Sequence, residues 1–181
     1  MGRRFGGMSS EDSRNAVASA DPALPQASSA ETADKELRKT VRKKAMDLLM
    51  RREHSVAELH KKLGDRDYAA DIVAAVVGQL ADEGLVNDAR FTEAFVRYRC
   101  NHGYGPRRIQ SELRERGVSE KIQSTYLDIG DPQWFEQAAQ VKSKRFGADL
   151  PDDFKERARQ ARFLQYRGFT SDQIREVLDD S

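Results

Sequence analysis

The chain has 181 residues, 34% charged and 38% hydrophobic, with a formal net charge of +1, which describes a polar chain long enough for one cored domain plus tails. No apolar run approaches the roughly 20 residues that cross a bilayer, and Cys100, the one cysteine, excludes an internal disulfide and suits a reducing cytoplasm. The charge balance falls short of the pI above about 9 that marks many nucleic-acid binders, so any such role must rest on local clustering.

Residues 1 to 34 are rich in Ser, Ala, Gly, Asp and Pro and carry Arg3, Arg4 and Arg14 against five acids, leaving +3 for the remainder. Too little apolar surface is available there to offset ordering entropy, so a disordered tail is expected. Arg3-Arg4 is followed by no apolar stretch, and Gly6 stands where a myristoylation signal needs Ser or Thr, so neither export nor lipidation is expected.

From Leu37 the pattern changes. Leu37, Val41, Ala45, Leu48 and Leu49 recur at helical spacing and end in Arg51-Arg52. Ser55-Val56-Ala57-Glu58 reads as a reciprocal capping box opening a helix over 56–63. A third helix over 68–83 carries Ile72, Val73, Val76, Val77 and Leu80 and stops at Gly84. Asp88, as N-cap, opens a helix with Phe91, Phe95 and Val96 that ends near Gly103. Gly105-Pro106 begins the next, with Pro at the first helical position, and Gly117 ends it. A short helix follows from Ser119 to Leu127. Asp131-Pro132 opens another to Gly147, and a helix after Pro151 runs to Gly168. Thr170-Ser171-Asp172-Gln173 is a second capping box for the last helix.

One unit recurs through this series. An aromatic or His precedes a capping position, and apolar residues lie four and eight places after it: His54-Ser55 with Leu59 and Leu63, Tyr104-Gly105 with Ile109 and Leu113, Phe169-Thr170 with Ile174 and Leu178. The expected fold is therefore all-α, with tandem three-helix repeats in an elongated, curved array. The repeats are placed at 35–86, 87–130 and 131–181 within a domain over 35–181. The last carries an inserted helix at 132–147 to account for its wider spacing.

No Walker A sequence, GxSxG, HExxH or CxxC occurs, so no catalytic, cofactor or metal site is expected. Arg97 and Arg99 beside Cys100 would lower its pKa, although a small core residue is the plainer reading. The bases are more informative, because they recur at related places: Arg51 and Arg52, then Lys61 and Lys62, then Arg107 and Arg108 with Arg114 and Arg116, and Arg167 before the last cap. Each alone is a solvated face; together they suit a row of phosphates or a repeated acidic surface. Arg107 and Arg108 should face solvent, away from Ile109 and Leu113. A second basic group, including Lys142, Lys144, Arg145, Arg157, Arg159 and Arg162, surrounds the join between the inserted helix and the rest of the third repeat. Tyr98, Tyr104, Tyr126 and Tyr166 can stack on bases, though core packing is the commoner task for such residues.

Four ordered blocks carry a resemblance: Arg51 to Leu59, Leu80 to Phe91, Gly103 to Ile109 and Phe163 to Phe169. They resemble the successive signatures of the RecX regulators, over about residues 37 to 180. The resemblance implies a non-enzymatic modulator of the RecA recombinase. Such a protein binds the RecA–DNA filament, blocks its extension or promotes disassembly, and lowers ATP hydrolysis, strand exchange and SOS co-protease activity. RecA and single-stranded or duplex DNA are the implied partners of a cytoplasmic, monomeric protein. Arg99 stands where other copies have Leu49 and Leu164, which makes it a candidate exposed contact. Arg51, Arg52, Lys61, Lys62, Arg99, Arg107, Arg108, Arg114, Arg116, Arg145, Arg162 and Arg167 are the candidate contact residues. A free DNA-binding helix-turn-helix regulator, with residues 106–116 in a groove, is the competing reading.

Overall fold

The computed structural model describes residues 26–151 and 153–179. Among them are nine α-helices and no strand: α1 (Gln26–Leu49), α2 (Val56–Gly64), α3 (Ala70–Asp82), α4 (Asp88–Asn101), α5 (Pro106–Glu115), α6 (Glu120–Tyr126), α7 (Gln133–Phe146), α8 (Phe154–Arg167) and α9 (Ser171–Leu178). They form three successive units of three, and in each the first helix packs most extensively on the third. α7 is thus the regular first helix of unit three rather than an insertion. The capped helix is second in units one and two but third in unit three, which widens the spacing.

The tail boundary at residue 34 also needs correction, because α1 begins at Gln26; residues 1–25 lie outside the described residues. Ala27, Ala30, Glu31 and Ala33 are strong helix formers, and Asp34 accepts from Arg38 Nε at 2.8 Å. Once the packed part of α1 has nucleated, each added residue contributes a hydrogen bond without needing a core.

Two cores result. Val41 and Ala45 of α1, Leu59 and Leu63 of α2, and Ile72, Val73, Val76, Val77 and Leu80 of α3 close around one, with Val86 beneath. The other is continuous through units two and three: Phe91, Ile109, Leu113, Val118, Leu127, Trp134, Ala138, Val141, Leu164, Phe169 and Leu178. Burying one such large side chain contributes about 1.5–3 kcal/mol. The Trp134 indole N–H is satisfied by the Asp128 carbonyl at 2.7 Å.

The caps follow the sequence with two exchanges. Thr170 and Gln173 form the complete box, but Ser55 and Glu58 form only half of one. Ser55 Oγ accepts from the Glu58 amide at 3.0 Å, while the Glu58 carboxylate turns to Arg52 at 3.0 Å, since a charged partner outweighs a backbone amide. Asn87, not Asp88, caps α4, accepting from the Arg90 amide at 3.0 Å. Asp88 serves α2 instead, its Oδ1 accepting from the Val56 amide at 2.8 Å.

Glycine decides the junction of units two and three. The Gly105 amide donates to the Arg167 carbonyl at 2.8 Å and the Arg107 amide to the Gly168 carbonyl at 3.0 Å. A Cβ on Gly105 would fall 2.4 Å from the Phe169 nitrogen, and one on Gly168, whose φ is +95°, would fall 2.3 Å from Arg108 Cβ. Two backbones therefore touch where any larger residue would separate them.

Candidate interaction surface

The candidate bases separate into two groups. Arg51, Lys61, Arg107, Arg145 and Arg162 lie exposed, and Lys62 is half-buried. Arg114, also exposed, donates to Gln110 Oε1 at 3.1 Å. The remaining five bond to other groups of the protein, Arg52 while still exposed.

Arg99 is not an exposed contact. Its side chain is only 19% accessible and pairs with Glu112, which is 11% accessible, through Nε at 2.5 Å. A long polar chain replaces the leucine of the other copies because α5 presents a carboxylate to it. Arg108 likewise faces inward: Nε meets Glu112 at 3.1 Å and Nη1 donates to the Tyr166 carbonyl at 3.2 Å. The helical position directed it outward, but unit three lies there. Arg116 donates to the Glu112 carbonyl at 2.9 Å and stands 3.6 Å from Glu58. Arg52 meets Glu58, and Arg167 donates to the His102 carbonyl at 3.0 Å. In the second basic group, Lys142 is buried and its ammonium holds the Ala148 and Asp149 carbonyls. Arg157 pairs with Asp179 at 2.8 Å and Arg159 with Glu156 at 3.0 Å.

The engaged arginines form a ladder with aromatic rings. The Arg116 guanidinium lies 4.6 Å from the Phe95 centroid. Arg99 lies 5.6 Å from Phe95 and 4.2 Å from Tyr104. Arg108 lies 4.8 Å from Tyr104 and 5.0 Å from Tyr166, and Arg167 is 5.2 Å from Tyr104. Through the shared Glu58, Arg52 of the α1–α2 loop joins the series, which runs from unit one to unit three. Planar guanidinium suits this role, since its face stacks while its edge still donates. Tyr98 and Tyr166 are 56% and 73% exposed, so neither is a core residue.

Glu112, absent from the candidate residues, is the hub. Burial would raise its pKa, but hydrogen bonds from Arg99 and Arg108 outweigh that and hold it below 4.5. Glu58 is similar: burial is opposed by the hydrogen bond and charge of Arg52, with a net lowering. Its place in a Ser-x-x-Glu pattern indicated a cap, and nothing sequential tied Glu112 to Arg99. The Cys100 thiol is pushed up by burial, opposite to the expected lowering, because Arg99 points to Glu112.

Two concavities lie along the ladder. One, of about 510 Å³, has Phe91, Ala94 and Phe95 as its floor and Arg52, Arg99 and Arg116 at its rim. The other, of about 270 Å³, gathers Lys144, Arg145 and Arg167 near His102 and Phe163. Among the described residues, no group of three His, Cys, Asp or Glu is placed to hold a metal, and no helix is long and apolar enough to cross a membrane.

Fold and surface together define an all-α repeat protein with an arginine–aromatic ladder along its unit junctions. Residues 42–80, 87–127 and 131–178 match the first, second and third three-helix domains of RecX. The chain is 47% identical over 135 residues to the regulatory protein RecX of Halorhodospira halophila, covering 75% of this chain and 84% of that one. It is 43% identical over 138 residues to that of Ectopseudomonas mendocina, covering 76% and 92%. A crystal structure of a regulatory protein RecX superposes with TM-score 0.73 at 22% identity, over 87% of this chain and 80% of that one. RecX from Lactobacillus salivarius gives 0.65 at 21%, over 79% and 95%. This chain belongs to the RecX family.

Proposed function

We propose that this protein is a non-enzymatic, cytoplasmic, monomeric regulator that binds the RecA–DNA filament, blocks its extension or promotes its disassembly, and so lowers ATP hydrolysis, strand exchange and SOS co-protease activity. Membership of the RecX family supports RecA as the partner. The observation that carries the reading is the arginine–aromatic ladder crossing both junctions, since a continuous surface spanning three units suits an extended partner. Exposed Arg107, Arg145 and Arg162 provide uncommitted charge for acidic protein surface or single-stranded and duplex DNA phosphate. The groove-reading alternative is less well supported, because the N-terminal end of α5 is already bonded to unit three through Arg107 and Gly168.

The test is RecA ATPase on single-stranded DNA titrated with the full chain. Strong inhibition at low ratios indicates capping of filament ends; inhibition only near equal amounts indicates coating. Arg107→Glu with Arg145→Glu should weaken inhibition about tenfold with helicity unchanged, because neither side chain holds the fold. Unaltered inhibition by this double variant would show that these positions are not used.

A further inference from the structure

The larger groove, at the junction of units one and two, has a composition that selects its occupant. Phe91, Ala94 and Phe95 make an apolar floor. Around it stand Arg52, Arg99 and Arg116, each spending only some of its donors internally. Arg52 Nε, Arg99 Nη1 and Arg116 Nη2 donate to no atom among the described residues. Glu58 and Glu112 offset part of this charge, and Glu53, also at the rim, is occupied by Arg90 at 2.7 Å.

We propose that this groove seats an acidic segment of the recombinase partner, one large apolar side chain entering against Phe91 and Phe95 while flanking carboxylates meet the free edges of Arg52, Arg99 and Arg116. The inference rests on the filament-binding reading above. A nucleic-acid strand is the less suitable occupant. Polyanion affinity comes from neutralising a row of phosphates with uncommitted cations, and here the cations are largely matched by carboxylates over an apolar floor. Sparse carboxylates beside a buried apolar anchor fit that combination, as they do at protein–protein hot spots.

Ala94 gives the test, since it lines the floor, forms no polar contact and sits on a helix that accepts Glu or Gln equally. Full-length Ala94→Glu and Ala94→Gln, similar in size and checked for equal helicity, are compared for binding to purified RecA without DNA and to a fluorescein-labelled oligo-dT without RecA. The Glu variant should bind RecA at least about tenfold more weakly than the Gln variant, with oligonucleotide affinity the same for both. Equal RecA binding by the two variants overturns the groove assignment alone. Selective loss of oligonucleotide binding in the Glu variant gives the groove to DNA and overturns it as well. If the unaltered chain binds RecA neither free nor in filaments, the functional reading fails and the groove assignment falls with it.

Discussion

The two junctions between units are built from different materials. Units two and three share one apolar core and join backbone to backbone across Gly105 and Gly168. Units one and two keep separate cores and meet through polar groups: Ser55 Oγ donates to the Arg116 carbonyl at 2.6 Å, Asp88 accepts from Val56 at 2.8 Å and Arg90 pairs with Glu53. Here too backbones come close, since a Cβ on Gly117 would lie 2.5 Å from that of Ala57. Shared apolar area couples units strongly, whereas solvent-competed hydrogen bonds contribute about 1 kcal/mol each. Units two and three should therefore unfold as one body, with unit one separable from it, and the larger groove sits at the weaker joint.

The largest expected effect is from Leu63→Ala in the unit-one core, at about 2–5 kcal/mol. Trp134, the sole tryptophan, lies in the other core. In urea, the variant should lower the early part of the circular-dichroism transition and leave the tryptophan-fluorescence midpoint in place; a matching shift of both would mean that the junction is cooperative after all. Gly168→Ala should cost about 2–4 kcal/mol from positive φ plus overlap and move the tryptophan midpoint. Gly84→Ala, with φ +70° but open space around it, should cost only about 1–2 kcal/mol. Asp88→Ala removes the acceptor that joins α4 to α2 and should cost about 1 kcal/mol, seen as faster hydrogen exchange in α2 without change in α9.

The smallest effect is one of pH. His54 is buried beside the same joint, and burial, then the charge of Arg52, lowers its pKa below 6.5. As pH falls through 6.5 the unfolded chain gains a proton that the folded chain refuses until lower pH, so unit-one stability declines across that window and then levels off. His54→Gln should abolish the slope between about pH 7.5 and pH 5. Glu58 and Glu112, held below 4.5, contribute stability that is lost only under more acid conditions.

Helical periodicity and cap chemistry are local, and they were legible. The positions of α2, α5 and α9, the apolar pairs Leu59/Leu63 and Ile109/Leu113, and the Thr170–Gln173 box all follow from spacings within one or two turns. The bases were legible as a set, but their roles were not. Whether an arginine is free or spent depends on what another helix brings within about 4 Å. Arg107 and Arg108 are neighbours in sequence, yet one is exposed and the other lies against Tyr166 and Glu112.

By itself, then, the sequence determined an all-α chain of repeated capped helices, because propensity, capping and periodicity act over a few residues. Only the tertiary structure decided that α7 completes a regular third unit and that Asp88 caps a different helix. It also decided that Gly105 and Gly168 weld two units, and that five arginines and two glutamates form one ladder. Each of these depends on groups that different helices or units bring together, and their meeting is set by how the cores close.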